Sequence, residues 1–224
     1  MFDGNYLLLV LLPGLILGGW AQWRIKHNFH KFSKVASMRG LTGAQAARLM
    51  LDRAGLHNVG IEGISGKLTD HYDPQARVLR LSPDVGNSNS LAAIGVACHE
   101  AGHALQHQAK YAPLQFRNAL VPVVQLSSSL MWPLLIAGFL LGISGLFKAA
   151  VILFSFAVLF HIVTLPVEFD ASSRAIKEMA NDGILMEQEI GGARKVLNAA
   201  AMTYVASTIV AILNLLYYIA LSRR

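Results

Sequence analysis

Four apolar stretches dominate this chain, at roughly Tyr6–Trp23, Leu120–Leu141, Ala149–Val167 and Ala200–Leu221. Each is long enough, or nearly so, to cross a hydrocarbon core of about 30 Å. In hydrocarbon the backbone must satisfy its own hydrogen bonds, which leaves helices as the spanning structure for segments of this length. More than half of the 224 residues are hydrophobic, so the chain reads as a membrane protein with a modest polar part. Trp20 and Trp23 close the first stretch like an interfacial belt, and Pro13 and its glycines invite a kink. That stretch lacks a basic leader and a clean small-x-small site, so a retained anchor is expected. Gly142–Lys148 is a short link, so the second and third stretches should form a helical hairpin.

Lysines and arginines set the orientation. Arg24, Lys26, Lys31, Lys34 and Arg39 follow the first stretch, and Lys110 and Arg117 precede the second. Arg174, Lys177, Arg194 and Lys195 lie between the third and fourth, whereas the hairpin link carries only Lys148 and the N-terminus has Asp3. Both polar regions are therefore expected on the cytoplasmic side, which also explains the net charge of +6. Arg223 and Arg224 run against the rule, and a re-entrant fourth segment would remove the conflict.

Within the first polar region, His99-Glu100-Ala101-Gly102-His103 reads HExxH. On a helix the two histidines lie four residues apart on one face, and Glu100 sits about 100° round from His99. Two imidazoles on one metal ion, a carboxylate beside its water and an open position suit zinc-assisted peptide hydrolysis. Asn87–Ser90 offers caps just before the apolar run that leads into the motif. A buried helix whose histidines are satisfied by hydrogen bonds is the bland alternative.

A third ligand is needed. His107 keeps the four-residue spacing, but it lies about 12 Å along the axis from His99, far beyond what zinc bonds of about 2.0–2.1 Å can bridge. Glu168 is the better candidate: Glu168 and Asp170 form an acidic pair at the edge of a hydrophobic segment, where charge is costly without a partner. The competing reading is that this pair marks where a helix enters water. His99, His103 and Glu168 would make a two-histidine, one-glutamate shell, with Glu100 as general base. Tyr204, Arg174, His161 and His107 are candidates to help the zinc stabilise an oxyanion. Tyr204 serves equally as an interfacial anchor.

The remaining polar sequence is short. Thr42–Ala54 reads as a capped amphipathic helix closed by Gly55. Val59–Ile64, Lys67–Tyr72 and Ala76–Leu81 read as strands, with Asp73-Pro74-Gln75 as a turn. A small antiparallel sheet is expected, whose edge could hold an extended peptide or simply complete the core. Asp170–Leu197 should be helical, with breaks at Asp182-Gly183 and Gly191-Gly192. The single cysteine, Cys98, rules out an intramolecular disulfide framework and a multi-cysteine zinc site, and reads as a small core residue. No basic stripe interleaved with aromatics suggests nucleic acid.

The stretches Val96–Gln106 (VACHEAGHALQ), Leu165–Ala175 (LPVEFDASSRA) and Ala199–Ala206 (AAAMTYVA) resemble the YugP-like membrane zinc metallopeptidases over nearly the whole chain. More distantly the chain resembles HtpX and the type I CAAX prenyl proteases. The resemblance implies zinc, peptidase activity and a bacterial inner or plasma membrane location. Those distant relatives place an aspartate four residues after the ligand glutamate to brace a zinc-bound histidine. Here that position is Ser172, and the acid is Asp170. Either the helix starts after Glu168, or the outer partners of the metal are arranged differently.

The expected architecture is a mainly α membrane protein with about four transmembrane helices and a small α+β zincin-like cytoplasmic region. Residues 1–23 form an anchor, 24–118 the region with the motif helix and 119–167 a hairpin. Residues 168–198 carry the third ligand, and 199–224 form the last span. The expected partners are the bilayer and a membrane-associated protein or peptide substrate. Two other readings compete: a catalytically silent, zinc-stabilised membrane scaffold or adaptor, for which Glu100 has no use, and a metal transporter, which would place its ligands at mid-span.

Overall fold

The structure, a computed structural model, describes residues 4–67 and 69–222. The chain divides into two compact units. The first comprises Met1–Gln22, Ala112–Pro166 and Met202–Arg224; the second comprises Trp23–Tyr111 and Val167–Ala201.

The short α1 (Gly4–Tyr6) runs through a π-helical turn at Leu7–Leu11 into the long α2 (Leu12–Phe32), and the other long helices are α6 (Ala112–Leu141), α7 (Ser144–Asn181) and α8 (Glu187–Ser222). Gly4–Phe32 and the last three are long and apolar enough to cross a membrane. The expected kink near Pro13 takes the form of the π turn. Pro13 has no N–H to donate to the turn behind it, and the Leu12 N–H instead reaches back five residues to the Leu7 carbonyl. In the first unit Met131, Leu135, Phe147, Ala150, Val151 and Tyr218 are buried together. Leu8, Leu15, Leu126, Leu140 and Ile152 are each more than 60% exposed, a surface suited to lipid rather than water. The Ile143 N–H donates to the Gly138 carbonyl in the short link between α6 and α7.

In the second unit Thr42 and Gln45 form a reciprocal capping box that starts α3 (Gly43–Arg53). The sheet has the order β1-β3-β2, with β1 Gly60–Gly63, β2 His71–Asp73 and β3 Val78–Leu81. β2 and β3 are antiparallel, but β1 runs parallel to β3, so the expected all-antiparallel sheet is corrected to a mixed one. The hairpin at Asp73 claims one edge of β3, so β1 takes the other, and the chain reverses once between β1 and β2 and again at the hairpin, which leaves β1 and β3 running the same way. The expected strand Lys67–Tyr72 shrinks to its last two residues plus Asp73. The approach to β2 is instead pinned by the Asp70 carboxylate, which accepts from Ser82 N and Oγ. Leu68 lies outside the described residues, as do Asp3, Arg223 and Arg224 of the charge argument.

A short helix α4 (Pro83–Gly86) leads to α5 (Leu91–Gln108), whose N-cap is Ser90, accepting from Ala93 N. Met50, Leu51, Leu79, Ile94, Met179, Ile184, Leu185 and Val196 form the core around it. Gly183, at φ +60°, lies in the expected break between α7 and α8. The second expected break, at Gly191-Gly192, is absent: both glycines lie inside α8. Gly192 is there for close approach, since a Cβ would fall 2.8 Å from Leu91 Cδ1 and 3.0 Å from the Phe32 ring.

Candidate metal centre

The motif falls on the third and fourth turns of α5, and Glu168 falls on α7, which is continuous through that point. Two features bring them together. Ser90 caps the start of α5, and all of the run Leu91–Cys98 but the half-buried Val96 is buried, which seats the motif against the core. Gly102 then lets the α7 backbone approach: a Cβ on Gly102 would lie 2.5 Å from the Ala171 carbonyl oxygen. A side chain here would keep the two helices apart.

One ligand atom each from His99, His103 and Glu168 lie within 4.8 Å of one another. Glu168 Oε2 is 3.2 Å from His99 Nε2 and 3.7 Å from His103 Nε2. Two zinc bonds of about 2.0–2.2 Å at a tetrahedral angle separate their donor atoms by roughly 3.4 Å, so these spacings fit zinc. The other nitrogen of each ring is already engaged. His99 Nδ1 meets Ser172 Oγ at 3.1 Å, and His103 Nδ1 meets Gln106 Oε1 at 3.0 Å. Both Nε2 atoms are therefore left to face the carboxylate. Burial favours a neutral His103, but the Glu168 and Glu100 carboxylates outweigh it and raise its pKa. The pocket thus favours positive charge at its centre, which a divalent cation supplies. Two imidazole nitrogens, one carboxylate oxygen and no thiolate suit zinc.

Glu100 is buried and is not one of the ligating atoms. Its Oε2 accepts from the Tyr72 backbone N–H at 3.1 Å, which ties the carboxylate to edge strand β2. Burial pushes its pKa up, the Glu168 and Asp70 carboxylates push the same way, and the two imidazoles oppose them. A buried carboxyl poised above its ordinary range is suited to taking up a proton.

The other expected residues are distributed as follows. Ser172, the position four after Glu168, sits beside His99. Asp170 does not touch either histidine; its Oδ2 accepts from Gln106 Nε2 at 2.8 Å and from Arg174 Nε at 2.6 Å. The Arg174 guanidinium also stacks over Tyr111 and is committed to that brace. His107 Nδ1 pairs with the Tyr72 hydroxyl at 2.9 Å, clear of the ligand set. Tyr204 and His161 belong to the first unit, where the Thr208 hydroxyl donates to both their backbone carbonyls. Cys98 is fully buried and its pKa is raised by burial, as befits an inert core thiol.

Three residues of the site were not anticipated. Gln106 follows His103 by three positions and so lies on the same helix face, a usable signal. Tyr72 acts through its backbone and Gly102 through a missing side chain, and neither leaves a signature in residue type.

The family described as "Putative neutral zinc metallopeptidase" matches residues 7–223. The "Putative membrane protease YugP" of Bacillus subtilis (strain 168) is 47% identical over 212 residues, which cover 95% of this chain and 94% of that protein. No solved structure matches.

Proposed function

The chain belongs to the neutral zinc metallopeptidase family, and on that premise we propose that it hydrolyses peptide bonds of membrane or membrane-associated proteins at the cytoplasmic face of a bacterial inner or plasma membrane. His99, His103 and Glu168 would hold the ion. Zinc so held supplies Lewis acidity, which acidifies water and polarises a carbonyl. Glu100 takes the proton of the attacking water and returns it to the leaving amine. The Tyr72 N–H keeps the Glu100 carboxylate in place for both transfers.

The observation that carries this reading is Glu100 itself. A structural zinc site needs ligands and their braces, and it has no use for a buried carboxylate outside the ligand set. The transporter reading is disfavoured because the three ligands lie in the second unit rather than at mid-span. The Tyr72 N–H donates out of the sheet toward α5, so the free edge of β2 faces the motif helix. An extended peptide lying along that edge would present its carbonyls beside Glu100. The basic residues that flank the spans support the cytoplasmic orientation.

The test is the Glu100→Gln variant, purified in detergent beside the wild type. Expected are unchanged zinc content, no hydrolysis of unfolded membrane-protein substrates, and co-purification of uncleaved substrates from cells. Wild-type rates in the variant would remove Glu100 from the base role.

A further inference from the structure

We infer that Gln106 and Asp170 are positioning residues of the metal centre: Gln106 holds His103 in its Nδ1–H tautomer, and Asp170 fixes which way round the Gln106 amide sits. The inference rests on His103 as a zinc ligand and is independent of whether the chain cleaves peptides.

A glutamine amide has an acceptor end and a donor end of nearly equal shape, so its orientation is decided by its neighbours. One end of the Gln106 amide faces two acceptors, the Val167 carbonyl at 2.8 Å and Asp170 Oδ2 at 2.8 Å. Neither can donate: a backbone carbonyl has no proton, and Asp170 Oδ2 already accepts the Arg174 Nε–H at 2.6 Å. That end must therefore be the NH2 group. The opposite end is then the carbonyl oxygen, 3.0 Å from His103 Nδ1. An oxygen there can only accept, so Nδ1 must carry the proton, and the lone pair is left on Nε2, the nitrogen that faces Glu168. Gln106 is wholly buried, so no water competes for these contacts. In an aspartate–histidine pair the carboxylate touches the ring. Here the same instruction passes through an amide, and the histidine feels an acceptor without an adjacent full charge.

The chain of contacts also explains why Asp170 sits two residues after Glu168 rather than four. A carboxylate at position 170 is not in hydrogen-bond contact with either ring, but it meets a side chain one turn beyond His103. The four-residue position, Ser172, is left to His99.

The experiment uses the full chain in detergent micelles with four variants: Gln106→Met, Gln106→Glu, Asp170→Asn and the double variant Gln106→Glu/Asp170→Asn. In metal-free protein, above the pH at which the His103 ring loses its second proton, 15N NMR reads which nitrogen keeps the first. Chelator competition reads zinc affinity. Gln106→Met removes the acceptor without changing size much and should let the Nε2–H tautomer appear. Gln106→Glu sets a second carboxylate against Asp170 and the Val167 carbonyl, and should weaken zinc binding by about 10–100-fold. Asp170→Asn alone still offers an oxygen to the Gln106 amide and should change affinity little. In the double variant an amide at position 170 relieves the clash of the two carboxylates, but the Val167 carbonyl still opposes the carboxylate at 106 and Arg174 Nε loses its acceptor, so only part of the affinity lost in Gln106→Glu should return. A pure Nδ1–H tautomer in Gln106→Met overturns the inference, and so does a Gln106→Glu variant that binds zinc as tightly as the wild type. Wild-type protein that shows this pattern but cleaves no peptide would sink the peptidase reading and leave this one standing.

Discussion

Gly102 of the motif helix and Ala171 of α7 meet backbone to backbone, with 2.5 Å between the position of a Gly102 Cβ and the Ala171 carbonyl oxygen. This contact sets the distance between the helix that carries both histidines and the helix that carries Glu168 and Ser172. Gly102→Ala should therefore force the helices apart. Expected are a loss of stability of about 1–3 kcal/mol, the usual cost of overpacking, and reduced zinc content. Gly191→Ala is the control: it lies in the interior of α8 with open space around it, and should stabilise by about 0.5–1 kcal/mol. Thermal unfolding and metal analysis of both variants check the pair.

Glu168 is 3% exposed and lies opposite two imidazoles. Glu168→Ala should lower zinc affinity by more than the roughly 10–100-fold that the loss of an outer partner costs. Atomic absorption on the purified variant measures it. Unchanged metal content would place the third ligand elsewhere.

Asp73 anchors the turn between β2 and β3. Its Oδ1 accepts from Gln75 N and Ala76 N, and its Oδ2 takes the Arg80 guanidinium at 2.8 Å. The Ala76 N–H first, then Arg80, hold its carboxyl down at about 2. A lowered folded-state value stabilises the ionised form. This contribution is complete above the ordinary value of 3.8 and is lost as pH falls through about 2. Asp73→Asn should flatten that part of the acid-stability curve, read by unfolding midpoints between about pH 2 and pH 5. Equal slopes for the two proteins would exclude Asp73 as a contributor.

Thr42 opens α3 by accepting from Gln45 N, while the Gln45 side chain accepts from Thr42 N. Thr42→Ala removes the hydroxyl and should cost about 0.5–2 kcal/mol. Thr42→Ser keeps the oxygen and should cost much less. Chemical denaturation of the two variants separates cap from bulk.

Much of the architecture can be read from the chain because its signals are local. Runs of apolar residues announce spans whatever surrounds them, and the Thr42 box and Ser90 cap act within one turn of their own helices. The candidate metal ligands are legible for the same reason: His99 and His103 share a helix face by periodicity, and an acidic Glu168 at the edge of an apolar run demands a partner. Sequence misleads where two segments compete for one neighbour. β1 runs parallel to β3, against expectation, because the hairpin holds one edge of β3 and the chain reverses twice before β3 meets β1 at the other. The Gly191-Gly192 pair looks like a helix end, yet Gly192 serves the close packing of Leu91 and Phe32.

The sequence by itself therefore determined the kind of solvent each segment prefers, the helices that result, and the three side chains able to share an ion. Only the tertiary structure decided what surrounds that ion: Ser172 beside His99, Gln106 between His103 and Asp170, and the Tyr72 amide on Glu100. The physical reason is range. Hydrophobicity and helical period act over a few residues, whereas these hydrogen bonds join residues 28 to 73 positions apart, or depend on one that does. They form only once Gly102 lets two helix backbones touch.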